Sequence, residues 1–306
     1  MIFATLFHIK HVAFTGYLIS IAYTHFRGKI KLRPLRQLFD HSSLLAPINL
    51  IMYLFSAVPQ KPYVDLDYFP ELNILRDNWK TIQAEAQALY DAGYITASEK
   101  YDDIGFNSFF RRGWRRFYLK WYGEPLQSAY TLCPKTLALI QQLPNINAAM
   151  FTLLPKQGQL FKHRDPYAGS LRYHLGLITP NSEACRIHVD GIPYVWRDGE
   201  DVMFDETYIH WAENKTDKDR IILFCDIKRP LKNKMAQQFN NVFSRTIMKA
   251  AASKNTPTEQ VGWINTLFGY IYQIRLLGKY IKSRNRYIYY VAKYTLLLSL
   301  VYLFFF

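Results

Sequence analysis

Cysteine is scarce. Cys133, Cys185 and Cys225 are the whole complement of a 306-residue chain. Their number is odd and no CxxC spacing occurs, which excludes a disulfide framework and a thiolate zinc site and favours a reducing compartment. Acid is short as well. The formal net charge is +14, and after Ile227 Glu259 alone opposes cations running from Lys228 to Lys293. That balance needs a polyanionic partner or surface: nucleic acid, anionic lipid or an acidic substrate. A signal-peptide pattern is missing, because the basic cluster follows the first apolar run instead of preceding it. Nothing resembles a partner-binding repeat module.

What is present is apolar mass. Half of the residues are hydrophobic and 16% are aromatic, enough to build one large domain or two ordinary ones. Residues 1–26 are mostly apolar and are followed by Arg27, Lys29, Lys31, Arg33 and Arg36. This reads as an uncleaved membrane anchor with the rest of the chain on the cytoplasmic side. Ser42 to Val58 is apolar but interrupted by Pro47 and Asn49, and is expected to lie in the interface or pack on the domain. Leu72, Leu75, Trp79, Ile82 and Ala86 recur at helical spacing and are expected to face a core. Phe109 to Tyr122 interleaves Arg111, Arg112, Arg115, Arg116 and Lys120 with aromatics. It can stack nucleic acid, grip phosphorylated head groups or form a cationic edge strand. The end of the chain repeats the pattern of its start. A basic flank precedes an apolar run from Tyr287 to Phe306, which reads as a second membrane helix.

From Ala148 the pattern changes to short β-like runs separated by turn signals at Gln157-Gly158, Pro180-Asn181, Asp190-Gly191 and Asp198-Gly199. Such spacing indicates a sandwich or barrel and not βαβ units. The expected organisation is an anchor over 1–26, a basic and helical region over 27–147, a β core over 148–230, and a basic tail over 231–306.

His163 and Asp165 stand two apart and share a face if the chain is extended, which Pro166 favours. With His210 they form two imidazoles and one carboxylate, a facial triad that leaves positions open on Fe(II). A zinc hydrolase could use similar ligands. His188 and Asp190 are a rival pair. Asp190-Gly191 is a hairpin signal, however, and His188 stands close to His210 in sequence. Arg172 and His174 alternate with Leu171, Tyr173 and Leu175, so two polar groups turn one way on an apolar strand and call for an anion. Arg220 opens the last strand, where it can grip a carboxylate bidentately.

These motifs resemble the aspartyl/asparaginyl β-hydroxylase family of Fe(II)- and 2-oxoglutarate-dependent dioxygenases. They are His163-x-Asp165, Arg172-Tyr-His174-Leu-Gly-Leu, and Phe204-Asp-Glu-Thr-Tyr-Ile-His210-Trp with Arg220. The resemblance implies a mainly β fold, a double-stranded β-helix of the jelly-roll or cupin-like kind with flanking helices. It implies His163 and His210 as iron ligands, with Asp165 completing the triad where some family members lack a carboxylate. It implies Arg172, His174 and Arg220 as contacts of the 2-oxoglutarate cosubstrate, assisted by Thr152. His25-Phe-Arg-Gly-Lys29, Arg36-Gln-Leu-Phe-Asp-His-Ser42 and the basic tail resemble the bacterial lipid A hydroxylase branch. That branch implies O2-dependent hydroxylation of carbon 2 of a secondary acyl chain on Kdo-lipid A, at the cytoplasmic face of the inner membrane, with no nucleic acid partner. The competing expectations are a protein β-hydroxylase and a non-catalytic module binding anionic lipid or nucleic acid.

Overall fold

The computed structural model describes residues 2–98 and 101–305. Two antiparallel sheets face each other. One has the order β1 (Tyr63–Val64), β8 (Asp201–Phe204), β5 (Ser170–Ile178), β10 (Arg220–Lys228), β3 (Ile146–Leu154), β2 (Arg115–Trp121). The other has the order β4 (Gln159–His163), β9 (His210–Asn214), β6 (Cys185–Val189), β7 (Ile192–Val195). Strands β3, β5, β8 and β10 thus lie in one sheet and β4, β6, β7 and β9 in the other, the arrangement of a jelly roll, as expected for the double-stranded β-helix.

The alternation of side chains makes two cores. Leu171, Tyr173, Leu175 and Leu177 of β5, with Ile221, Leu223 and Cys225 of β10, point outward and are fully buried beneath helices. Ile82, Ala86 and Leu89 of the helix Trp79–Asp91 cover them. Each such buried aliphatic side chain contributes roughly 1.5–3 kcal/mol. Met150, Leu154, Ile187, Ala212, Ile222 and Phe224 point inward between the sheets. The inward face of β5 is therefore Arg172 and His174.

The Asp190-Gly191 signal is a two-residue hairpin pairing Val189 with Ile192. Both turn residues have positive φ, 53° and 87°, so the glycine supplies a conformation that other residues adopt only under strain. The Asp190 carboxylate accepts from the backbone N–H groups of Lys29 and Ile30 and thereby pins the N-terminal segment to the core. The cationic run splits: Arg115–Trp121 is the edge strand β2, and Arg116 is buried against Asp103 at 3.0 Å.

The ends of the chain depart from expectation. Helices form at Ile2–Phe26, Trp263–Arg284 and Arg286–Phe305. Among the described residues, however, no helix is long and apolar enough to cross a membrane. His8, Lys10 and His11 dilute the first, and Arg286, Lys293 and five tyrosines dilute the last. Met1 and Phe306, the outermost residues of the two expected spans, lie outside the described residues. Nor is Arg27 a juxtamembrane charge. It is buried, donating to Asp205 at 2.6 Å and to Thr207 at 2.5 Å. The stretch 42–58 packs on the domain, with Ala46, Met52 and Tyr53 fully buried.

Candidate metal centre

His163 ends β4, His210 begins β9, and the two are register partners. Their ring centroids lie 4.2 Å apart. The loop after β4 returns Asp165, whose Oδ1 is 3.8 Å from His163 Nε2 and 3.9 Å from His210 Nε2. The potential ligand atoms of all three lie within 4.8 Å of one another. Each imidazole is oriented from its own strand. His163 Nδ1 donates to the Phe161 carbonyl at 2.6 Å, and His210 Nδ1 donates to the Tyr208 carbonyl at 3.0 Å. That fixes the tautomer and leaves both Nε2 lone pairs aimed at Asp165.

The protonation states suit a cation. Burial holds His163 below its ordinary range and, with His163 beside it, takes His210 to about 3. Burial would raise Asp165, but Arg172 and the two histidines outweigh it and hold the carboxyl at about 2. Two neutral imidazoles and an ionised carboxylate need lose no proton to bind a divalent metal.

Arg172 is not free. Its Nη2 donates to Asp165 Oδ2 at 2.7 Å and contacts Glu206, and its Nε donates to Asp226 Oδ1 at 2.9 Å. Tyr122 and Ser170 hold Asp226 and Glu206 in turn. The guanidinium grips one oxygen of Asp165 and leaves the other to the histidines. Burial pushes Glu206 and Asp226 up, which moderates the charge of this nest. Arg172 thus orients the triad's carboxylate, with its Nε and Nη2 already engaged by acids of the protein.

Arg220 is the opposite case. It is 2% exposed, lines the same cavity as the triad, and forms no ion pair among the described residues. Burial lowers its pKa to about 10, and its guanidinium lies 4.4 Å over the Trp196 ring. Arg220 Nε, both ring nitrogens of His174 and the Thr152 hydroxyl are buried without hydrogen-bond partners. An unpaired buried cation beside three unmet polar groups is costly unless an anion with several acceptors joins them. A dicarboxylate small enough to bridge from Arg220 to a metal on the triad fits that set. The donor set of two imidazoles and a carboxylate fits Fe(II).

The cavity is narrow, about 40 Å³, and Phe106, Phe109 and Trp114 wall its outer side. Phe109 meets His163 edge-on at 4.8 Å. Sequence reasoning missed this wall and the roles of Glu206 and Asp226. Register was the signal that could have found the latter, since Asp226 pairs with Arg172 across β10 and β5. The rival pair lies elsewhere. His188 pairs with Trp211 and stacks on it at 4.6 Å, on the other face of its sheet from His210. Side alternation and not sequence distance is what removes it.

The N-terminal segments support the loop that carries Asp165. Arg164 Nη1 donates to the Thr24 carbonyl at 2.5 Å, and His41 Nε2 donates to the Arg164 carbonyl at 2.9 Å. Asn49 Nδ2 donates to the Pro166 carbonyl, and Asn49 Oδ1 accepts from Ala168 N–H. Three pieces of chain outside the β core therefore fix the loop between β4 and β5.

A profile of the family described as Aspartyl/Asparaginyl beta-hydroxylase matches residues 76–230. The chain is 32% identical to the ornithine lipid ester-linked acyl 2-hydroxylase of Rhizobium tropici, over 62% of this chain and 69% of that protein. It is 27% identical to aspartate beta-hydroxylase domain-containing protein 2 of Homo sapiens, over 58% of this chain and 50% of that one. With the human aspartyl/asparaginyl beta-hydroxylase the figures are 25%, 51% and 21%. The chain thus spans half or less of the length of these animal relatives. A prolyl-4-hydroxylase structure from Pseudomonas putida superposes with a TM-score of 0.36 at 17% identity, over 50% of this chain and 87% of that one. The matched region holds the triad, the engaged Arg172 and the unpaired Arg220, and the chain belongs to the aspartyl/asparaginyl β-hydroxylase family.

Proposed function

We propose that the protein is an Fe(II)- and 2-oxoglutarate-dependent dioxygenase that hydroxylates carbon 2 of an acyl chain on a glycolipid of the lipid A type. The observation that carries the chemistry is the unpaired, buried Arg220 facing the triad's cavity with His174 and Thr152. The observation that carries the substrate class is the likeness to an enzyme named for acyl 2-hydroxylation of a lipid.

In this reading His163, Asp165 and His210 hold the metal, and Arg172 keeps Asp165 turned toward it. Arg220 grips the far carboxylate of the cosubstrate through paired N–H donors, with the Thr152 hydroxyl as a further partner. His174 stays neutral because burial and then Arg172 and Arg220 hold it far below its ordinary range, so it donates from one nitrogen without repelling Arg220. Bound there, iron and the 2-oxo acid supply oxygen activation and the oxidant that takes the acyl hydrogen. The aromatic wall of Phe106, Phe109 and Trp114 keeps bulk water from the reacting carbon and must yield to admit a chain.

Delivery to the lipid is peripheral. Trp263, Leu267, Tyr270, Ile271, Ile274 and Leu277 fall on one face of the helix Trp263–Arg284 and are all exposed. Arg275, Lys279, Lys282 and Arg284 accompany them with no acid on the helix. An apolar stripe with a cationic surround suits the headgroup region of an anionic leaflet. The proposed location is the cytoplasmic face of a bacterial inner membrane.

The deciding experiment is mass spectrometry of lipids from cells with and without the protein. The expected result is one acyl chain heavier by a single oxygen atom. Hydroxylated peptides with unchanged lipids would favour the protein-hydroxylase reading instead. In purified enzyme, Arg220→Ala raises the 2-oxoglutarate KM by roughly 10–100-fold, the worth of a bidentate charged contact, while metal binding is unchanged. Equal loss of both, or of neither, counts against the role given to Arg220.

A further inference from the structure

We propose that a cleft beside the triad is an anion site for a phosphate monoester on the substrate's headgroup. Arg111, Arg112 and Arg275 line it with Phe161, Phe268 and Ser108. The inference deepens the lipid reading above and rests on it for the identity of the headgroup's owner.

The cleft has a volume of about 450 Å³, and among the described residues no acidic side chain lines it. None of the three arginines forms an ion pair among the described residues. Aromatic contacts hold them instead. Arg111 Nη2 donates to Tyr272 Oη at 3.1 Å, Arg112 lies 4.0 Å over the Phe161 ring, and Arg275 lies 5.7 Å from the Tyr272 ring. The three side chains are exposed, and these contacts draw the guanidiniums toward the rings while leaving most of their N–H donors unmatched. Arg116, from the same cationic run, shows the alternative: it is buried and neutralised by Asp103. Three like charges gathered with no acid among the described residues at the cleft repel one another, and a doubly charged anion relieves that repulsion better than a single carboxylate does.

The position ties the cleft to the chemistry. Phe161 lines the cleft and stands two residues before the metal ligand His163 on β4, roughly 7 Å along the strand. Phe109 covers His163, and Arg111 follows Phe109 by two residues. A phosphate held by the arginines would therefore set the adjoining acyl chain at the mouth of the triad's cavity. Arg275 lies on the flank of the exposed apolar stripe of its helix, beside the buried Tyr272.

The test uses the full chain, wild type and the triple variant Arg111→Gln, Arg112→Gln, Arg275→Gln, with circular dichroism to establish that both fold. Binding is read by sedimentation with phosphatidylcholine vesicles carrying either phosphatidic acid, a monoester, or phosphatidylglycerol, a diester. The wild type is expected to prefer the monoester vesicles, by about tenfold for each guanidinium in contact. The triple variant is expected to lose that preference while keeping the general attraction that its remaining cations give to both vesicle types. Equal preference in both proteins, or none in the wild type, overturns the proposal. Inorganic phosphate that displaces the wild type from the monoester vesicles at concentrations matched to the lipid assigns the cleft to free phosphate, and displacement by a single-stranded oligonucleotide assigns it to nucleic acid. Either result overturns the headgroup assignment. No turnover is needed, so a failed hydroxylation assay and a failed cleft are told apart.

Discussion

Replacing His210 with alanine is expected to abolish the proposed 2-oxoglutarate turnover and to leave the fold standing. The side chain is 5% exposed and supplies one of three ligand atoms on an otherwise preformed site. Its own hydrogen bond is to a carbonyl two residues back, so its removal strands no distant partner. Outer-shell changes already cost metal sites roughly 10–100-fold, and deleting a ligand costs more. His163→Ala behaves in the same way. Metal binding followed by calorimetry falls with activity, while circular dichroism and the unfolding midpoint move little. Normal succinate release from either variant would sink the assignment.

Asp205→Ala has the opposite signature: a large loss of stability at a residue with no place in the chemistry. The carboxylate is fully buried and accepts from Arg27 at 2.6 Å and from Arg229 at 2.8 Å. Burial alone would raise its pKa, but Arg229 and Arg27 outweigh it and hold it well below the usual carboxylate range. Two guanidiniums would remain in the interior without their acid. Breaking a buried pair from one side costs about 3–5 kcal/mol, and here one acid serves two cations. Urea unfolding measures it, and a loss under about 1 kcal/mol would show that water reaches the site. Arg27→Met is expected to cost less, because Asp205 keeps Arg229.

The strands that carry Arg172, His174 and Arg220 were legible because β5 and β10 are buried on both faces and read as long apolar runs. The His163-x-Asp165 pair was legible because its spacing matches an extended chain. By contrast β4 and β9 did not read as strands. Gln159–His163 is largely exposed, and His210–Asn214 mixes tryptophan, acid and amide, so neither shows clean alternation. The occupancy of Arg172 was illegible for a different reason. Its partners Asp165, Glu206 and Asp226 are 7, 34 and 54 residues away in sequence, and only the register of β5 with β10 and the return of the β4–β5 loop bring them together. The ends misled because composition records apolar mass and flanking charge without showing what Arg27 faces.

That Arg27 contact also sets an order of events. Arg27 leaves the ribosome 180 residues before its partner Thr207. At the roughly 5–20 residues per second of synthesis, the helix Ile2–Phe26 waits about 10–40 s before β8 and the turn after it exist to receive it. For that interval Arg27 lacks its buried acceptors, and the segment takes its place on the β core only after most of that core has been made.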